Sequence, residues 1–172
     1  MRRPLNHYCN GGKLHMSYHP VDVAWKIISL ASQKGINLTH MQLQKLTYIA
    51  HGLSLAGYKM PLLSQPVTAW KYGPVIPSLY HEFKIFRSGF IPPKPLNMPM
   101  RKDDEDLLNL VVDTYGKLSG VQLSELTHMS GTPWEQVWNR HGGCNTDNAV
   151  ISDAIIQDYY QKMLQSQRCE GL

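Results

Sequence analysis

The sequence predicts a mainly α protein: a compact bundle of about six to seven helices, with one short extended or β-hairpin-like excursion around residues 66–74. Three observations carry this. Apolar residues recur at three- and four-residue steps along most of the chain. Ser, Thr and Pro stand where those runs begin, and Gly where they end. Prolines crowd the two stretches that lack a helical period. With 172 residues, 42% apolar and 17% charged, the chain can build one ordinary core and is too weakly charged to stay unfolded.

The first fifteen residues show no period and read as a flexible N-terminal extension; Met16 offers a second translation start. Residues 16–166 form the helical domain and 167–172 a C-terminal tail. Pro20 opens the first helix, Val23, Ala24, Ile27, Ile28 and Ala31 make its apolar stripe, and Gly35 supplies a left-handed stop. Thr39 and Gln42 form a capping box for the second, which carries Leu43, Leu46, Ala50 and Leu53 and halts at Gly57. Next, Pro61, Pro66, Gly73 and Pro74 surround Val67-Thr68-Ala69-Trp70-Lys71-Tyr72, an extended run ending in a tight turn.

Pro77 starts a third helix with Leu79, Tyr80, Phe83 and Phe86 on one face and Gly89 as its stop. Pro92, Pro93, Pro95 and Pro99 make the following segment a loop or crossing arm. Asp103, Asp104, Glu105 and Asp106 suit the positive end of a helix dipole and read as solvated charges. Ser119 caps a short helix holding Leu123 and Leu126. Thr132 and Pro133 begin another, with Trp134 and Trp138 one turn apart, and Gly142 and Gly143 break it. Ser152 caps the last helix, with Ile151 and Ile156 placed as a hydrophobic staple.

Composition excludes several functions. No apolar run approaches the ~20 residues that span a bilayer, so no membrane association is expected. Three cysteines at unrelated spacings give neither a disulfide framework nor a zinc signature, and a cytoplasmic protein without cofactors is expected. The net charge of +4 arises mostly at the N-terminus: from Met16 onward 14 basic side chains face 13 acidic ones. Nucleic-acid binding, which needs a concentrated basic face, is therefore not expected. Enzyme templates fare no better. There is no Gly-rich phosphate loop and no His-Glu-x-x-His, and the glycine frame around Ser54 is wrong for a nucleophile elbow. Cys144 beside His141 sits in a Gly-rich loop without a third orienting group, and the eight histidines show no ligand spacing.

Aromatic residues stand out instead. Trp70, Lys71, Tyr72, Gly73 and Pro74 cluster at the turn, and Tyr80 follows. In a strand Trp70 and Tyr72 face the same way, either into the core or out to a partner. Trp134 and Trp138 pattern as core. Gln44, Lys45 and Tyr48 fall on what reads as the solvated side of the second helix, with a carboxylate partner for Lys45 as the alternative. His128 is placed to cap the short helix before it.

The segments Leu43-Gln44-Lys45-Leu46-Thr47-Tyr48-Ile49-Ala50-His51-Gly52, Ala69-Trp70-Lys71-Tyr72-Gly73-Pro74-Val75-Ile76-Pro77-Ser78-Leu79-Tyr80 and Leu123-Ser124-Glu125-Leu126-Thr127-His128, followed by Pro133-Trp134, occur in this order. Together they resemble the Panacea domain, the family of SocA-like antitoxins and of the phage-associated proteins called GepA. The likeness covers about residues 18–165. It implies a small helical antitoxin of a bacterial or prophage toxin–antitoxin pair, binding a cognate protein toxin and having no established catalytic residues. Delivery of the toxin to a Clp-type protease, or DNA-binding autorepression, are the alternatives it leaves open; an enzyme ranks last, and a homo-oligomer stays open. Gln44, Lys45, Tyr48, Trp70, Lys71, Tyr72, Gly73, Pro74, Tyr80, His128 and Trp134 are the family-motif positions expected to mark a shared surface or scaffold.

Overall fold

The computed structural model describes residues 7–10 and 13–170, with side chains placed over 17–166. Two short strands, β1 (His7–Asn10) and β2 (Lys13–Met16), pair antiparallel with His7 opposite Met16. The part of the expected loose extension that the structure describes is thus paired backbone, while residues 1–6 and 11–12 lie outside the described residues.

The first helix, α1 (Pro20–Gln33), begins at its first-turn proline and buries Val23, Ala24, Ile27, Ile28 and Ala31, the stripe read from the sequence. The second, α2 (His40–Tyr58), is held at its start by the full capping box: the Gln42 amide donates to the Thr39 hydroxyl, and Gln42 Oε1 accepts from the Thr39 amide at 3.0 Å. Fourteen of its nineteen residues are buried. This helix is the axis of the molecule, packed on α1, on α4 (Lys102–Tyr115), on α5 (Gly120–His128) and on α7 (Asp153–Glu170). A bare glycine permits the approach of α7. A Cβ on Gly52 would lie 2.3 Å from the Tyr160 ring, so α7 sits against α2 only because no side chain intervenes.

The excursion is a hairpin of β3 (Val67–Trp70) and β4 (Gly73–Val75), with Thr68 opposite Val75 and Trp70 opposite Gly73. A third strand, β5 (Ala149–Ile151), joins the other side of β3 to give the order β4-β3-β5. The sequence pattern does not show β5: three residues are too few for a period of two, and Ile151 reads as the staple of the last helix. It does both. Ile151 and Ile156 are buried together, and the Ile156 amide donates to the Ser152 carbonyl.

Two further elements differ from expectation. The third helix, α3 (Pro77–Phe83), gives way early to a 3-10 turn, Lys84–Phe86, and the positive φ of Arg87 (50°) ends it before Gly89. The Thr132-capped helix α6 (Pro133–Glu135) is a single turn that widens into a π turn over Gln136–Arg140. Helix α7 continues to Glu170, so most of the expected tail is helical, and residues 171–172 lie outside the described residues. Asp104 also departs from the expectation of solvated acids. It is fully buried, where it accepts from the Tyr18 hydroxyl at 2.8 Å and from Arg101 Nε at 3.2 Å. Among the described residues no helix is long and apolar enough to cross a membrane.

Candidate functional site: a pinned aromatic hairpin

Three helices converge on the β3–β4 hairpin, and the family-motif residues do the pinning. From α2, Gln44 clamps the hairpin's exit: its Nε2 donates to the Ile76 carbonyl at 3.2 Å and its Oε1 accepts from the Ile76 amide at 3.0 Å. One residue on, Lys45 Nζ donates to the carbonyls of Tyr72 (2.9 Å) and Pro74 (3.0 Å). Between those carbonyls, Gly73 holds φ at 106°, and a Cβ there would come within 2.5 Å of Lys45 Nζ and 2.9 Å of the His128 ring. Only glycine fits, for both reasons at once.

Lys45 corrects the sequence reading. It is 2% exposed and bonds to main-chain carbonyls, neither solvated nor paired with a carboxylate. Burial lowers its pKa from the ordinary 10.5 to about 7. Gln44 and Tyr48 are buried as well, because α2 is covered on every side and its polar face meets hairpin backbone rather than water. The Tyr48 ring meets Tyr160 edge-on at 6.0 Å, and burial raises the pKa of both phenols.

From α5, the Ser124 hydroxyl reaches the Tyr72 carbonyl at 3.3 Å. The His128 imidazole meets the Ser124 carbonyl one turn back at 2.5 Å through Nδ1, within α5 rather than at its end. Its other face lies against Trp134, ring centroids 3.9 Å apart. Trp134 is buried, stacks on Trp138, and donates its indole N–H to the Trp70 carbonyl at 2.7 Å. Trp70 is half-buried, edge-on to Tyr80 at 5.0 Å, and its indole N–H is taken by Asn148 Oδ1 at 2.9 Å. Ser124, Asn148 and Thr127, whose hydroxyl borders the space beside Gly73, have no role in the sequence reading. Two of them lie within the quoted Leu123–His128 motif, and Asn148 is marked by a left-handed backbone (φ 56°) that asparagine tolerates.

Once Gln44, Lys45, Gly73, Pro74 and Trp134 are spent on this frame and Tyr48 is buried against Tyr160, little of the motif set is left at the surface. Tyr72 is 66% exposed at the tip, with Lys71 Nζ 5.5 Å over its ring, and Tyr80 is 37% exposed on α3. Around the tip lie Met41 at the start of α2 and Val121 of α5, lining with Tyr72, Ser124, Glu125 and His128 a depression of about 340 Å³. Leu126 and Met129 are exposed as well, but they line a separate depression with Tyr159, Tyr160 and Met163 of α7. Lys45 and Tyr48 do not open into an accessible pocket with Tyr72 and His128, so the four do not form a converging polar site.

The polar side chains of the motif thus fix one aromatic turn against the helical scaffold. The SocA-like antitoxin model, the Panacea domain, matches residues 43–135, the span from the Gln44–Lys45 clamp to the Trp134 anchor. Antitoxin SocA of Caulobacter vibrioides (strain NA1000 / CB15N) is 30% identical, with 81% of this chain and 80% of its own length covered. No solved structure matches. The chain belongs to the SocA-like, Panacea-domain antitoxin family.

Proposed function

We propose that this chain is an antitoxin that neutralises its cognate toxin by binding it directly, through the face formed by the hairpin tip and α5. Membership of the antitoxin family supports the role. The observation that carries the surface is Tyr72: it is the most exposed aromatic side chain of the motif set, on a turn whose neighbours are fixed by three helices. A rigid, projecting aromatic with a polar tip loses little entropy on docking, which is why such residues anchor protein interfaces. Met41 and Val121, which line the same depression, give it an apolar surround. A full interface of this kind buries ~1,600 Å² in total, so the toxin would cover α5 as well as the tip.

The test is protection of host cells from the toxin encoded beside this gene. Tyr72→Ala should abolish protection while leaving stability within about 0.5 kcal/mol, because the side chain makes no core contact. Val121→Asp should act the same way. Protection that survives both changes would place the docking face elsewhere. Direct binding also leaves the amount of toxin unchanged; a fall in toxin that depends on a Clp-type protease would replace occlusion by delivery.

A further inference from the structure

The family motif contains a buried amine with no charged partner among the described residues. Lys45 Nζ lies between two carbonyls, those of Tyr72 and Pro74, with the hydrogens of Gly73 filling the space where a side chain would collide. No carboxylate pairs with it among the described residues. The ionisable groups facing the seat are His40 from α2, which lies within electrostatic reach, and His128 from α5, across Gly73; Lys71 of the hairpin is exposed. A seat with two acceptors and no counter-ion matches an uncharged amine, which has two N–H bonds to give. An ammonium brings a third proton and a charge that water solvates far better.

We propose that Lys45 is a proton-sensitive latch: uncharged, it holds the Tyr72 turn against α2, and on protonation it lets the turn swing away as a unit smaller than the whole fold. Lys45 is thus a positioning residue for the hairpin. That the latch also tunes toxin capture rests on the reading of the Tyr72 face above; that it moves the turn does not.

The sign follows from proton linkage. In the released turn the lysine regains an ordinary pKa near 10.5, whereas seated it is held near 7. Between those values the released form binds more protons, so raising the pH favours the latched form. Below about 7 both forms are protonated and the dependence flattens.

Hydrogen–deuterium exchange on the isolated full chain tests this without any toxin. After correction for intrinsic exchange, amides of Trp70–Ile76 should be less protected than those in the middle of α2. Their protection should rise about tenfold between roughly pH 7 and pH 8.5. In Lys45→Met, which keeps the length and loses both donors and the proton, hairpin protection should be low and independent of pH over that range. Wild-type protection that is flat with pH, or that coincides with α2 at every pH, would overturn the latch, and both readings hold even if the variant fails to fold. A normal latch profile with unimpaired Tyr72→Ala protection would sink the docking face alone.

Discussion

Trp134 and Tyr72 belong to one motif set and have opposite jobs, which the structure separates by their settings. Trp134 is 6% exposed, gives its N–H to the Trp70 carbonyl, and is sandwiched between His128 and Trp138. Trp134→Ala should therefore cost about 3–5 kcal/mol, the range for truncating a buried aromatic, and be seen as a large drop in melting temperature. Tyr72→Ala should leave that temperature nearly unchanged. An equal drop in both variants would mean that the tip is core after all. Residue types alone could not make this separation: a strand pattern tells that Trp70 and Tyr72 share a side, not which side meets water. The answer came from the turn, since Gly73 and Pro74 bend the chain directly after Tyr72 and leave its ring beyond the end of the sheet.

At the scale of elements, helices α1, α2, α4, α5 and α7 were legible because their caps and stripes are local signals. What was not legible is the second face of α2. Amphipathic patterning assumes that polar side chains face water, yet Gln44 and Lys45 face hairpin backbone, and their hydrogen bonds are to main-chain atoms that sequence spacing does not reveal. Strand β5 was hidden for a related reason, its partner β3 lying far away in sequence. The same burial gives α2 a measurable signature. Lys45 lies low, near 7, so the unfolded chain binds the extra proton from there up to 10.5, and stability should climb with pH across that interval. Burial raises Tyr48 and Tyr160 above the usual 10, and Tyr18 to about 12. Above about 10 the unfolded chain loses phenolic protons that the folded one keeps, and stability should fall again. Melting temperatures across this range should pass through a maximum on the alkaline side of neutrality. Lys45→Met should erase the rise and keep the fall; an unaltered rise in that variant would show that other groups produce it.

For the whole molecule, the distribution of charge bears on whether an antitoxin of this shape also reads DNA. From Met16 onward basic and acidic residues nearly balance. The short helix α5, which with its neighbour could imitate a helix-turn-helix, exposes Val121, Glu125 and Leu126, with no lysine or arginine from Gly120 to His128. A recognition helix must first hold phosphates with cations before it reads base edges, and this one offers apolar surface and a carboxylate. The same surface is what a protein partner would cover. The chain should accordingly fail to retard its own promoter fragment in a gel-shift assay at ~150 mM salt, and any retardation at ~50 mM should vanish with competitor DNA of unrelated sequence. Specific retardation that survives the higher salt, and is lost in Val121→Asp, would reassign α5 from the toxin to the operator.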